Sequence, residues 1–473
     1  MDGVLRWLGV RARAIGRWIV QLQSRAILLI GWLVFLEYAY PGYMSYDSIQ
    51  QLGEARSGRF GDWHPPAMAA LWRLIELVVA GPVGMLVIQS GCFLIGAYLV
   101  LMRAMSTRAA AVCASCLLWF PPIGVVMAVI WKDSQMAGFL MLGTGLLCAA
   151  ARRDRLLGVA LLLLASMMRH NAFTMTFPLV VLLFVWRLDS RGWRRYAVGL
   201  AVWVAITGMG ALFSSRLTRH HDYTWYRSSA LIDIVGTLNY AEPISDEQLR
   251  PLLEGVRVIP THDLQQAARR AYNPAWTFDV IWNMERRFFD DPANKPQRLA
   301  VVRAWKKIVL GHPYAFLTYR AEIFLHLLGL GPKPPDSPIY VGFSDLQDPF
   351  GSAQRALHLA SASRIQQKMQ LGMLRLGLSS LFHPYLYALL AILLLPFSLR
   401  DRLSFALLAS GLVGEAALYF VAPTGDYRYS IWLVIVDAAA VMILIARRAG
   451  ATPAVPMLGA GRAISDATGP RRR

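Results

Sequence analysis

The sequence is short of charge, of acidic residues and of cysteine. Only 16% of its 473 residues are charged and 56% are hydrophobic, where a soluble domain has about a quarter charged. With a mean hydropathy of +0.42, that composition excludes an ordinary water-soluble fold and points to a membrane protein. Acids are scarce: 29 Asp and Glu stand against 48 Lys and Arg, for a net charge of +19. Such a surplus would suit nucleic acid, but the basic residues sit in short segments between apolar runs. That is how a polytopic protein keeps its basic loops cytoplasmic, and no nucleic-acid partner is expected. The four cysteines, Cys92, Cys113, Cys116 and Cys148, all fall within apolar runs. No disulfide framework is therefore expected, and the Cys113/Cys116 pair reads as small packing residues. The N-terminus lacks the cleavage pattern of a secretory signal. Residues 1–25, with five arginines interleaved with Trp7 and Trp18, read as a basic amphipathic helix on the cytoplasmic membrane surface.

What is abundant is long apolar sequence. A span needs about 20 apolar residues, and about ten runs qualify, near 26–42, 84–103, 109–128, 134–151, 156–168, 172–187, 196–213, 379–398, 403–421 and 429–446. With the N-terminus inside, the segments Arg103–Arg108, Arg152–Arg155, Arg187–Arg195, Arg400–Arg402 and Arg447 onward are cytoplasmic, and each carries at least two arginines. The run 309–330 is long enough to span but contains Arg320, Glu322 and His326, and counting it would reverse the later basic loops. It reads as an amphipathic segment at the outer interface. The expected fold is an all-α polytopic membrane protein. Residues 26–213 form an N-terminal membrane module, 214–378 a mainly helical extracytoplasmic region, 379–446 the C-terminal spans and 447–473 a disordered basic cytoplasmic tail. Ser245 with Gln248 forms a capping-box pattern, and 298–309 and 353–376 have helical apolar spacing. No repeat or strand-rich block is present. The protein is expected in the plasma (inner) membrane with both termini cytoplasmic.

This topology gathers polar groups on the outer side. The segment 43–72 carries Asp47, Asp62 and His64, the last opening His-Pro-Pro. Lys132 and Asp133 follow the third span, Arg169, His170 and Asn171 the fifth, and Asp426 to Tyr429 precede the last. Charges at the ends of several spans on one side suggest a shared cavity. Moving a sugar from a phosphate carrier to a hydroxyl needs a base for the acceptor proton, a role for Asp47 or Asp133. The departing phosphate needs cations, a role for Lys132, Arg169 and Arg428.

The pattern resembles the GT-C superfamily of polytopic glycosyltransferases, which includes protein O-mannosyltransferases and the aminoarabinose transferase of lipid A. Those families carry Asp-Glu and then Lys-Pro-Pro-Leu in the first outer loop; this chain has Asp47-Ser48 and His64-Pro65-Pro66-Ala67. Asp133 in WKDSQ takes the place of a second acid, Arg169 in MMRHN that of a later basic residue, and Arg428-Tyr429 that of an Arg-Tyr pair before a final span. The resemblance implies a GT-C-like bundle, a polyprenyl-phosphate sugar donor bound through His64, Lys132, Arg169 and Arg428, Asp47 as general base, and inversion at the anomeric carbon. Asp62, His170, Asn171, Tyr427 and Tyr429 are further candidates for substrate contact. The acceptor would be a glycan, lipid or protein. No cofactor is required by this reading; a divalent ion, where used, would be held by Asp47, Asp133 and His64.

Each residue also has a plainer role. Asp47 and Asp133 suit helix caps, Asp62 a turn, His64 a rigid helix entry before proline, Arg169 snorkelling and the tyrosines an interfacial belt. Arg73 and Glu76 read as an i, i+3 ion pair on a helix surface. Two other functions remain: a transporter or flippase of lipid-linked glycan, which should carry polar groups at mid-bilayer on broken helices, and an O-antigen polymerase or ligase, which would rely on the large loop.

Overall fold

In a computed structural model, residues 23–187, 192–331, 338–342 and 362–455 are described. Most of the expected N-terminal amphipathic helix, residues 456–473 of the tail and part of the 332–361 stretch lie outside them. Among the described residues the chain is all helical, with only two isolated β-bridges.

The helices run α1 Ser24–Ala39, α2 Tyr46–Ser57, α3 Pro66–Glu76, α4 Val83–Leu101, α5 Thr107–Trp119, α6 Pro121–Met127, α7 Lys132–Leu147, α8 Arg152–Met168, α9 Ala172–Leu183 and α10 Trp193–Leu217. A second set follows: α11 Ala230–Tyr240, α12 Asp246–Leu252, α13 Leu264–Ala271, α14 Asp279–Trp282, α15 Lys295–Gly311 and α16 Pro313–Leu327. The chain closes with α17 Arg364–Leu376, α18 Pro384–Ser398, α19 Arg402–Val421 and α20 Ile431–Arg448.

Among the described residues four helices are long and apolar enough to cross a membrane: α4, α10, α19 and the stretch Tyr427–Arg448. A fifth is counted if α5 and α6 are one broken span, bent by 71°. The cause of the bend is local. Pro121 and Pro122 supply no N–H to the preceding turn, and Phe120 before them takes an extended conformation (φ −61°, ψ 118°). The other five expected spans are helices of 12 to 17 residues: α1, α7, α8, α9 and α18.

Two hydrophobic cores result. One joins α1 and α4–α9 to α18–α20; the other joins α11–α16 to Leu418, Ala422 and Tyr429. In the first, α4 and α7 pack almost backbone to backbone. A Cβ on Gly96 would lie 2.3 Å from the Leu142 nitrogen, so only glycine permits that separation. In the second, the expected capping box at Ser245 and Gln248 opens α12. The segment 309–330 forms α16, whose Arg320 is buried and ion-paired with Asp233 of α11. Asp233 also accepts hydrogen bonds from Trp305 and Tyr319. These partners explain how an arginine is tolerated inside an apolar layer. The expected Arg73–Glu76 pair does not form. Arg56 takes Glu76 with both its Nε and Nη2 (2.8 and 3.1 Å), and Arg73 instead donates to the carbonyls of Ala55 and Arg56. A guanidinium fork from α2 outcompetes a single contact along α3.

Candidate functional site

The site is assembled at one end of the bundle, where α2, α7, α8 and α20 begin or end. Asp47 lies in the first turn of α2, where the helix dipole favours a carboxylate. Ser45 and Ser48 form the capping box of that turn. The turn is tied to the segment before α7. The Tyr43 N–H donates to Ala128 O (3.0 Å) and Ile130 N–H to Tyr43 O (2.9 Å), while Ser48 Oγ donates to Ile130 O and Trp131 Nε1 to Ser45 Oγ. Lys132 and Asp133 are thereby carried to Asp47.

Arg428 closes the site from the far end of the sequence. Its guanidinium lies 2.8 Å from Asp47 Oδ2 and 2.8 Å from Asp426 Oδ2, and sits 4.7 Å from the centre of the Trp131 ring. The loop that carries it is held by the second core: Arg320 donates to Ala422 O, and Thr277 to Pro423 O. Arg169, at the end of α8, ion-pairs with the fully buried Asp133. Its guanidinium stacks 4.4 Å from the Tyr429 ring, which also lies 5.4 Å from Arg428.

His64 is buried between these groups. Lys132 Nζ is 2.9 Å from its Nδ1. An ammonium only donates, so Nδ1 accepts and the ring proton lies on Nε2. That proton faces Asp47 Oδ1 at 3.8 Å, too far for a hydrogen bond, and Nε2 has no partner. Burial, reinforced by the Lys132 charge and opposed by Asp47, pushes the imidazole down to about 3. His64 is therefore neutral at physiological pH, and the positive charge expected at this position is carried by Lys132 beside it. Burial raises Asp47, but the charges of Arg428 and Lys132 outweigh it and hold the carboxyl well below the usual carboxylate range. Asp426 is pushed up to about 6 by burial, against the pull of Arg428.

Of the residues singled out in the sequence, Asp47, His64, Lys132, Asp133, Arg169, Arg428 and Tyr429 thus meet in one cluster. Of the others, His170 sits at the edge of the cluster, within range of the Lys132 and Arg169 charges, and the rest lie apart. Asp62 accepts the Asp222 N–H (2.6 Å) and contacts His221, while its carbonyl accepts from Thr224; it clasps the first inter-helix segment to residues 221–224. Tyr427 points away, its hydroxyl donating to Pro122 O at the break between α5 and α6. Asn171 is buried before α9 and its carbonyl accepts from Thr174, and His170 is exposed. Asp47, Asp133 and His64 do not gather as a metal-ligand set: the two carboxylates turn to different arginines, and among the described residues no three His, Cys, Asp or Glu side chains do so. The sequence reading missed Trp131 as the aromatic face under Arg428. It also missed Asp437, buried inside α20 with both carboxylate oxygens unpartnered. A lone acid in an apolar run was the available signal.

Comparisons with known protein families, characterised proteins and solved structures find no match to this chain.

Proposed function

We propose that the chain is an integral membrane glycosyltransferase of GT-C type. It moves a sugar from a polyprenyl-phosphate donor to a hydroxyl of a cell-envelope acceptor at the outer face of the plasma membrane. The carrying observation is the ion pair between Asp47 and Arg428, with Lys132, His64 and Arg169 around it. A carboxylate beside Arg428 and Lys132, with Arg169 near by and Asp133 and Asp426 offsetting part of that positive charge, suits proton removal beside a phosphate leaving group.

In this reading Asp47 takes the proton of the acceptor hydroxyl. The oxygen then bonds to the anomeric carbon from the face opposite the phosphate. The carbon–oxygen bond to the carrier breaks, its electron pair leaves with the phosphate oxygen, and configuration inverts. Without ligand Asp47 is a weak base, because Arg428 stabilises its charged form. A donor phosphate would draw Arg428 away and raise the basicity of Asp47 where it is needed. The shorter helices α1, α7, α8, α9 and α18 would complete a bundle of about ten membrane helices.

The test is transfer by the purified protein from a panel of polyprenyl-phosphate sugars, with acceptors supplied, comparing wild type and Asp47→Asn. Turnover lost with donor binding kept supports Asp47 as base. Unchanged turnover removes it and moves the role to Asp133.

The transporter or flippase reading has its own support: the unpartnered Asp437 within a membrane-length helix and the 71° break at Pro121. Donor binding without turnover, with translocation abolished by Asp437→Asn, would favour it.

A further inference from the structure

Beside the charged cluster the structure contains a pocket of about 420 Å³ that none of the roles above uses. Its lining includes Tyr46 and Gln50 of α2, Trp63, Trp282, and Asp290 and Asp291. Tyr46 adjoins Asp47 in sequence and Trp63 adjoins His64, so the pocket borders the backbone that carries the cluster, although neither Asp47 nor His64 lines it. Its volume falls in the ~300–1,000 Å³ range of small-ligand sites.

Its chemistry is selective. The Trp63 and Trp282 rings lie 5.5 Å apart and are tilted by 35°, and Phe278 stacks behind Trp282 at 4.7 Å. Trp282 is nonetheless half exposed (50%), so it presents an indole face to the pocket mouth. The charged lining, two arginines and three aspartates, is paired, Asp290 chiefly with Arg257 outside the pocket. Arg227 holds Asp291 through a two-bond fork (2.7 and 2.6 Å) and lies 3.9 Å from Asp222, while Arg287 approaches Asp290 at 4.0 Å. Paired charges give little attraction to an ion of either sign, yet their spare lone pairs and N–H groups can bind hydroxyls. Aromatic faces backed by neutralised donors and acceptors suit a ligand with apolar C–H faces and a rim of hydroxyls. Lipid tails fit poorly, because they would desolvate five charged side chains.

We propose that this pocket is the acceptor subsite and binds a neutral saccharide. Its ring packs on Trp282 and Trp63, and its hydroxyls bond to Gln50 and the Arg227–Asp291 fork. This assignment rests on the transferase reading above and adds to it the acceptor class.

The test uses full-length protein purified in a detergent without a sugar headgroup. Maltotetraose, cellotetraose, mannotetraose and chitotetraose are titrated by calorimetry and tryptophan fluorescence. At least one binds; Trp282→Ala weakens it about tenfold, and Trp282→Phe keeps it within about threefold. Asp291→Asn, which breaks the fork but leaves the aromatic faces, weakens binding by a similar factor. A thermal melt equal to wild type shows that each variant is folded. No binding by any of the four, or binding indifferent to Trp282→Ala, overturns the proposal, even if sugar transfer occurs. If Trp282→Ala instead abolishes attachment to phosphatidylglycerol vesicles and leaves saccharide binding intact, the surface is a membrane contact and the proposal also fails. Saccharide binding that follows this pattern in a protein with no transfer activity keeps the pocket and removes the transferase.

Discussion

The Asp133–Arg169 pair offers the sharpest test of how the site is held. Asp133 is fully buried, one carboxylate oxygen pairs with Arg169 and the other has no partner. Replacing Arg169 with Met keeps the volume but leaves a buried carboxylate uncompensated, at a cost of about 3–5 kcal/mol. Replacing Asp133 with Leu is milder. Arg169 is 10% exposed and rests on Tyr429, so it can turn toward solvent, and about 1–3 kcal/mol is expected. In the double variant neither charge is stranded, and its stability should return to within about 1–2 kcal/mol of wild type. The cycle therefore predicts a coupling energy above about 2 kcal/mol. Reversible unfolding in mixed micelles of rising SDS content, followed by tryptophan fluorescence, measures all four proteins. A coupling below about 0.5 kcal/mol, the level expected of independent sites, would refute the pairing and the balance of charge built on it.

Asp47→Asn should lower kcat by about 10²–10⁴-fold with the donor dissociation constant little changed; a tenfold loss of donor affinity at unchanged kcat would contradict its role as base. His64 should make stability pH-dependent. Unfolded, it binds a proton near 6.5, but folded only near 3. Its contribution is therefore complete above pH 6.5 and is lost as pH falls toward 3, about 2 kcal/mol by pH 5. Denaturation midpoints of wild type and His64→Gln from pH 7.5 to 5 check this, and equal slopes would sink it. Gly96→Val should force α4 from α7 and destabilise by at least about 1–3 kcal/mol in the same unfolding assay, whereas an unchanged midpoint would show that the helices can separate freely.

The gathering of Asp47, Lys132, Asp133, Arg169 and Arg428 was legible because charged residues at the ends of apolar runs have few places to go. Their partners were not legible. Nothing in the spacing says that Arg428 would choose Asp47 as well as its near neighbour Asp426, or that Arg169 would choose Asp133, since those contacts depend on packing between distant helices. The same limit explains Asp62, whose turn-like setting hid a clasp to residues 221–224. It explains Glu76 too, taken by an arginine from another helix. Span counting fared differently. Apolar runs were found where helices exist, but several helices stop at 12 to 17 residues, because composition does not report where a helix is capped or broken. The bend at Pro121 has a local cause instead, the proline's effect on the residue before it.

The seating of residues 422–430 has a consequence for how the protein comes into being. Asp47, His64, Lys132 and Asp133 emerge from the ribosome well before the guanidinium that balances Asp47. Its loop docks on the second core, which is built around α11 and α16. Until residues 422–430 are in place the site is incomplete, with Asp47 lacking its Arg428 partner and the break at Pro122 uncovered by Tyr427. The cluster thus becomes electrically whole only when residues 422–430 are seated, which makes their docking a folding step as well as an assembly step for the site.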